Sequence, residues 1–205
     1  MTETTRWGLV ATILAPTDDI LRFAAYHLEA GARRLHIYLD DESAEAYGAL
    51  KGHPKVRVTR CDAAHWQKLT GKRPAKHQVR QSLNATHAYQ RAADVDWLIH
   101  MDVDEFLVSD RPVGEALAAL PRDQKSARIR PMEALSAPQG DGPTAFKAFI
   151  PSGPDRMRIV SDLYPTYGAY VKCGFLSHLA GKVFVRTGLP DNRFHIHNDV
   201  QKDEI

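Results

Sequence analysis

The order of apolar and polar residues predicts alternating strands and helices in the first part of the chain. Residues 8–14 (GLVATIL) form a short apolar run rich in β-branched residues, and Pro16 ends it. A helix follows, in which Asp18 or Asp19 can cap the first turn and Gly31 ends the last. Its apolar stripe consists of Ile20, Phe23, Ala24, His27 and Leu28.

Two further strands extend this pattern to β-α-β-α-β. Residues 34–39 (RLHIYL) alternate as a strand, residues 43–51 form a predicted helix, and residues 55–60 (KVRVTR) alternate again. Such spacing favours a parallel sheet covered by helices. Right-handed crossovers then build a nucleotide-binding half of Rossmann type.

The rest of the chain continues in the same style and then becomes irregular. Residues 61–74 are polar and are expected to be irregular, and residues 76–93 form a predicted long helix before the apolar strand WLIHMDVDEFL at residues 97–107. A short helix at 113–120 and a strand at 127–131 follow. Residues 133–174 are rich in Gly and Pro and are predicted to form several short strands or loops, which shape an acceptor pocket or serve only as a long surface connection.

Composition bounds the class of protein. The chain has 205 residues, 43% of them hydrophobic and 25% charged, which predicts one globular domain over residues 1–205. We expect a nucleotide-binding half at about 8–108 and an acceptor-side half at about 109–205. The net charge of +2 gives no reason to expect a nucleic-acid partner.

The two cysteines and the hydropathy pattern suggest a location. Cys61 and Cys173 form no CxxC pair; a single disulfide is possible, and two buried thiols in a reducing compartment are the default interpretation. Neither a signal-peptide pattern nor an integral membrane segment is present in the sequence. We therefore expect a cytoplasmic protein, with action at a membrane surface left open.

An acidic cluster follows the apolar strand. Asp102, Asp104 and Glu105 come where that strand should end, and ligands of open α/β sheets bind at the carboxyl ends of strands. Positions i and i+2 of a strand share a face, so Asp102 and Asp104 can hold one cation together. Their oxygen ligands favour Mg²⁺ or Mn²⁺. The alternative is a solvated acidic turn.

The segment DVDEFL in this setting resembles the metal site of nucleotide-sugar glycosyltransferases of the GT-A fold, in particular a family-2-like group. Residues 23–38 resemble the opening of that group. Gln78 and Asn84 resemble its Gln/Asn helix before the acidic strand. GKVFVR at 181–186 and HIH at 195–197 are similar to its terminal segment. The resemblance covers about residues 8–200, and implies a GT-A, mainly parallel mixed sheet flanked by helices.

The resemblance implies a role for particular residues. Asp102 and Asp104 would hold Mn²⁺ or Mg²⁺ against the diphosphate of the donor, and His197 or His195 would complete the metal shell. The alternative for the two histidines is a purely structural role. Gln78 and Asn84 would contact the donor from their helix.

Other residues are candidates through their position in the chain. Asp40 and Asp41 follow the second strand, where an acid commonly binds the ribose or base of a nucleotide. They could equally belong to a helix cap with Ser43. Lys182 could contact the diphosphate as a point charge.

The catalytic base is less clearly indicated. An inverting transferase needs a carboxylate to deprotonate the acceptor hydroxyl. The candidates are Glu105, Glu133, Asp155 and Asp162, and we name Asp104, Glu105 and Asp162 as the catalytic set. A retaining mechanism, which needs no such base, stays open.

Together these features predict an inverting, hexosyltransferase-like enzyme. Its donor would be a nucleotide sugar, with UDP-sugars favoured, and its acceptor a glycan, lipid-linked or small-molecule hydroxyl. Two alternatives remain: a metal-dependent nucleotidyl- or phosphotransferase, and a non-catalytic sugar-binding domain. The second is favoured by residues 15–18 (APTD), where many relatives carry Lys-Asn-Glu. The absence of GxGxxG, GxxxxGK[ST] and GxSxG motifs argues against dehydrogenases, P-loop NTPases and hydrolases.

Overall fold

A mixed sheet flanked by helices dominates the computed structural model, which describes residues 5–41, 43–136, 142, 145–190, 193–194 and 199–200. The strands are β1 (Trp7–Ile13), β2 (Arg34–Leu39), β3 (Val56–Arg60), β4 (Trp97–His100), β5 (Ser126–Ile129), β6 (Glu133–Ala134), β7 (Phe146–Lys147), β8 (Lys182–Arg186), β9 (Arg193–Phe194) and β10 (Asp199–Val200). The α-helices are α1 (Thr17–Glu29), α2 (Ala44–Leu50), α3 (Ala63–Thr70), α4 (His77–Tyr89), α5 (Val113–Ala118) and α6 (Arg156–Leu163).

Six strands form the main sheet in the order β3-β2-β1-β4-β8-β5. β1 pairs in parallel with β2 and with β4, β2 pairs in parallel with β3, and β8 runs antiparallel to β4. This confirms the predicted α/β class with a mainly parallel, helix-flanked sheet. The chain divides into two compact units, Met1–Ala127 with Val183–Ile205, and Arg128–Lys182. The prediction of two halves that meet near residue 108 stays a prediction.

The central strand β1 is buried over its whole length, as expected for a parallel strand with helices on both faces. Gly8 explains how closely β1 and β2 approach one another. A Cβ at Gly8 would lie 2.7 Å from the carbonyl oxygen of Arg34, too close for any larger residue without a backbone shift. The close approach of β1 and β2 at this position therefore requires glycine, which has no Cβ.

Helix α1 begins earlier than its aspartates suggest. Pro16 occupies the N-cap position without a side-chain hydrogen bond, so the expected capping by Asp18 or Asp19 is wrong. Both acids lie in the first turn, where they interact favourably with the helix dipole. The predicted apolar stripe is buried at Ile20, Phe23, Ala24 and His27, whereas Leu28 is only half-buried.

Residues 61–74 are not irregular, because helix α3 occupies most of them. Asp62 caps it by accepting the His65 backbone N–H at 2.8 Å, and Gly71 ends it in the left-handed conformation at φ +80°. Trp66 is 1% exposed and fixes the helix to the core. One buried tryptophan on a polar helix leaves too little apolar periodicity for the helix to be predicted.

In the unit Arg128–Lys182, the carboxylate of Glu133 connects several segments of the chain. Glu133 accepts hydrogen bonds from the backbone N–H groups of Leu176 at 2.8 Å and Ser177 at 2.6 Å, and from Lys147 at 2.5 Å. The predicted short strands are present as the β6–β7 pair, and helix α6 is an element that the Gly- and Pro-rich composition did not indicate. Gly181, at φ +67°, lies where a Cβ would be 2.1 Å from the Ile129 carbonyl oxygen.

Candidate functional site

Two acidic loops lie at one edge of the sheet, on either side of β1. The Asp40 N–H donates to the carbonyl of Ile13 at 2.8 Å, and the Met101 N–H donates to that of Val10 at 3.1 Å. Since β2 and β4 both run parallel to β1, the segments that follow them emerge at their shared carboxyl edge. Asp40 and Asp102 therefore lie at the carboxyl edge of the parallel strands, where open α/β sheets bind ligands.

The acidic cluster after β4 is a turn. The Glu105 N–H donates to the Asp102 carbonyl at 3.0 Å, and the Asp102 N–H donates to the Glu105 carboxylate at 2.9 Å. Asp102 and Glu105 are half-buried, whereas Asp104 is exposed. The strand ends at His100, so the alternation expected to place Asp102 and Asp104 on one face does not extend to them. Their role as metal ligands stays a prediction.

Helix α4 supplies a residue that the sequence analysis missed. Gln81 is 5% exposed, and its Nε2 donates to Oδ1 of Asp102 at 2.6 Å. The signal was its spacing on the helix, since Gln81, Ala85 and Ala88 lie on one buried stripe. The predicted donor ligand Gln78, one turn earlier, is exposed.

The first acid after β2 is engaged within the protein. The Asp40 side chain is 0% exposed, and Arg80 donates to it at 2.9 Å through Nε and lies 2.8 Å away through Nη2. Arg73 donates to the same carboxylate at 2.9 Å. Burial alone would raise the pKa of Asp40, but the hydrogen bonds and charges of Arg80 and Arg73 outweigh it and hold the pKa below its ordinary value.

Asp41 is exposed and belongs to the start of helix α2. Its carboxylate accepts the Ser43 backbone N–H at 3.1 Å, and the Ser43 hydroxyl caps the helix by accepting the Ala46 N–H at 3.3 Å. The capping alternative therefore describes Asp41 and Ser43. Binding of a ribose or base by Asp40 and Asp41 stays a prediction.

Asn84 lies in the core and connects three elements. It is 0% exposed; its Nδ2 donates to the Thr12 hydroxyl at 3.1 Å, and its Oδ1 lies 2.9 Å from Nε2 of His65. The amide thus holds α4 against β1 and α3. Contact of Asn84 with a donor stays a prediction.

The end of the chain contributes less to the described structure. Lys182 is 5% exposed in β8, and its contact with a diphosphate stays a prediction. His195 and His197 lie outside the described residues. Within the described ranges, no group of three or more His, Cys, Asp or Glu side chains is arranged to hold a metal ion. Asp102 and Asp104 provide the carboxylate oxygens that Mg²⁺ or Mn²⁺ prefers.

The candidate bases differ in their surroundings. Glu105 is held in the acidic turn by the Asp102 N–H. Burial would raise the pKa of Glu133, but Lys147 and the N–H groups of residues 176 and 177 lower it to about 2, which makes it a weak base. Asp155 and Asp162 are exposed and pair with Arg158 at 3.4 and 3.3 Å.

Fold and site define a class: an α/β protein with two acidic loops at the carboxyl edge of its parallel strands. The chain matches no protein-family model and no curated protein. Within the part of the chain that the structure describes, no helix has the length and apolar character to cross a membrane.

Proposed function

We propose that the protein is a metal-dependent glycosyltransferase of the GT-A kind, which transfers a sugar from a nucleotide-sugar donor to a hydroxyl acceptor. The observation that carries the proposal is the acidic turn from Asp102 to Glu105 at the carboxyl end of β4, with Asp104 exposed. The mixed, mainly parallel sheet is compatible with that fold. UDP-sugars are the favoured donors.

The donor set suits a hard divalent cation. Asp102 and Asp104 would hold Mg²⁺ or Mn²⁺, and the diphosphate of the donor together with His195 or His197 would supply further ligands. When bound, such an ion neutralises the charge that develops on the leaving nucleoside diphosphate. Gln81 fixes the Asp102 carboxylate by donating to Oδ1.

The acceptor side requires a base if the reaction inverts configuration. Glu105 is the candidate within the acidic turn, although its carboxylate also holds the Asp102 N–H. Asp162 is the candidate of the unit Arg128–Lys182. The acceptor would be a glycan, a lipid-linked sugar or a small molecule with a free hydroxyl.

A specific observation favours a second candidate, a non-catalytic domain that binds a sugar or nucleotide. The carboxylate of Asp40 is occupied by Arg80 and Arg73, so the acid expected to contact the donor nucleotide serves the protein's own packing. A metal-dependent nucleotidyltransferase on the same aspartates is distinguished by its product, pyrophosphate.

The test is a thermal-shift panel of UDP-, GDP- and CDP-sugars with and without Mn²⁺. A ligand that binds only the native state must raise Tm. We expect a metal-dependent rise with one nucleotide class, and its loss in Asp102→Asn/Asp104→Asn. Asp123→Asn, an exposed aspartate before β5, is the control and should keep the rise.

Product analysis separates the candidates. Release of a nucleoside diphosphate on addition of acceptor supports the transferase, and release of pyrophosphate from a nucleoside triphosphate supports the nucleotidyltransferase. Binding without turnover over a broad acceptor panel supports the non-catalytic domain. If no nucleotide sugar changes Tm, the proposal is overturned.

A further inference from the structure

A cleft of about 590 Å³ lies along β3, the strand at one edge of the main sheet. Its walls come from β2 and β3, from α2 and the residue after it, and from α4 and the turn that follows it. Small-molecule sites in proteins commonly measure about 300–1,000 Å³. The cleft is therefore large enough for a metabolite-sized ligand.

The register of β2 and β3 places polar side chains side by side in this cleft. His36 lies opposite Arg57, and Tyr38 lies opposite Thr59. In a parallel pair, residues in register project to the same face of the sheet. Four side chains with hydrogen-bonding groups thus line one continuous wall.

The charge of the lining is strongly positive. It contains four cations, Arg34, Lys51, Arg57 and Arg91, and a single acid, Asp94. Arg34 and Asp94 neutralise each other, with Nε donating at 2.7 Å. In the described part of the chain, the other three cations have no carboxylate within 4.0 Å.

The two exposed guanidinium groups are engaged only weakly. Arg57 donates to the carbonyls of Pro54 and Val56, each at 3.3 Å, and Arg91 donates to the carbonyl of His87 at 3.2 Å. All three carbonyls are neutral acceptors at long distance. Their charges are therefore available to an anion that enters the cleft.

The wall also contains a buried polar atom without a partner. His36 is 6% exposed, and its Nε2 has no hydrogen-bond partner among the described residues. Leaving such an atom unsatisfied is costly, and a polar group supplied by a ligand is one way to satisfy it. Beside it, the Tyr38 hydroxyl and Nδ1 of His87 lie 2.6 Å apart and form a second polar station.

We propose that this cleft is a binding site for a phosphate monoester. A phosphate dianion matches the guanidinium groups of Arg57 and Arg91, which line the cleft with the polar side chains of β2, and guanidinium groups bind phosphate oxygens with bidentate geometry. The polar groups of one face carry the site: Arg57 is in register with His36 on that face, and Tyr38 contacts His87 there. Tyr47 lies on the other face of β3, under Arg60, which alternates with Thr59.

The site is distinct from the acidic edge and goes beyond the function proposed above. Its lining includes neither Asp40 nor Gln81 nor the turn from Asp102 to Glu105. An anion has opposite requirements from a divalent cation. The two proposals can therefore fail independently.

The test is isothermal titration of the full chain, in a phosphate-free buffer, with inorganic phosphate and with a nucleoside 5′-monophosphate. We expect both to bind, and the variant Arg57→Gln/Arg91→Gln to weaken each by about a hundredfold, since hydrogen bonds to charged groups each contribute about tenfold or more. Both arginines are exposed, so the variant should keep the wild-type Tm.

Two controls define the result. Arg22→Gln/Arg122→Gln removes the same charge from exposed positions outside the cleft and should change Kd less than twofold. Asp102→Asn/Asp104→Asn should also leave Kd unchanged, which separates this site from nucleotide binding at the acidic edge. Failure of both ligands to bind overturns the proposal, as does an equal loss of affinity in the two arginine pairs.

Discussion

The guanidinium group of Arg80 lies against the carboxylate of Asp40, which is 0% exposed, with Nε 2.9 Å from Oδ2 and 3.1 Å from Oδ1. The remaining donors of Arg80 are used as well, because Nη1 donates to the carbonyls of Pro74 and Ala75 at 3.0 and 2.8 Å. This buried pair joins helix α4 to the loop after β2. Arg80, a charged residue of a polar helix, is therefore part of the protein's interior.

Removal of Arg80 should be strongly destabilising. Arg80→Leu leaves the Asp40 carboxylate buried with the half-exposed Arg73 and the more distant Nδ1 of His77, at 3.7 Å, as its remaining partners, and the free energy of unfolding should fall by about 3–5 kcal/mol. Arg73→Leu should cost about 1 kcal/mol or less, because its side chain is 48% exposed. Urea denaturation measures both. Equal losses in the two variants would contradict the assignment of Arg80 as the principal partner.

His36 should make stability depend on pH in the weakly acidic range. Burial lowers its pKa from 6.5 to about 4. His36 is therefore protonated below about pH 6.5 in the unfolded chain, but only below about pH 4 in the folded protein. Stability present above pH 6.5 is lost between these values, by at most about 1.4 kcal/mol per pH unit.

The measurement is the free energy of unfolding from pH 4 to 7 in a phosphate-free buffer. His36→Gln should reduce this slope without abolishing it, because burial also lowers the pKa of His87 to about 4 and the pKa of His27. His53→Gln, at an exposed position, should leave the slope as in the wild type. An unchanged slope in His36→Gln would show that the protonation of other groups accounts for the pH dependence. The charged groups that face His36 are Asp94, Arg34, Arg57 and His87.

Substitution of Gln81 should lower the free energy of unfolding more than substitution of Gln78, although both residues lie on α4. Gln81→Leu removes the donor to the half-buried Asp102 carboxylate, and the free energy of unfolding should fall by about 1–3 kcal/mol. If the proposed function holds, metal-dependent nucleotide affinity should also fall about 10- to 100-fold. Gln78→Leu, at an exposed position, should change stability by about 0.5 kcal/mol or less.

Glu105 and Asp104 should separate into a structural and a ligand-binding role. Glu105→Ala removes the acceptor of the Asp102 N–H and should cost about 1 kcal/mol, and Glu105→Gln should recover part of it because an amide oxygen also accepts. Asp104→Ala should leave stability within about 0.5 kcal/mol of the wild type and abolish the Mn²⁺-dependent rise in Tm. A loss of stability in Asp104→Ala, together with an unchanged stability in Glu105→Ala, would contradict these two roles.

The first half of the fold was predictable because each element carries a strong local pattern. β2 was predicted to the residue, and α1 was identified by a stripe whose members Phe23 and His27 are both buried. Helix α3 was not, because its evidence consists of end signals: Asp62 at the N-cap and Gly71 after the last turn. In a polar segment, these two residues were the only local indication.

The candidate site was predictable in place but not in contacts. That Asp102 emerges at the carboxyl end of a buried strand follows from periodicity and from the order of elements. The turn after β4 could not be predicted in the same way. Nothing in the residue pattern between His100 and Val103 indicates that the strand ends at His100. The approach of Gln81 to Asp102 depends on how a helix packs on the sheet, which no local pattern specifies.

Helix α4 attaches to both acidic loops through successive residues, Arg80 to Asp40 and Gln81 to Asp102. The helix thus adds a constraint on the spacing of the two loops, beyond the backbone hydrogen bonds that tie each of them to β1. Loop positions that make no contact with α4, such as the exposed Asp41, can therefore be exchanged in engineered variants without altering that spacing. A graft that replaces α4 itself would have to recreate both contacts at once.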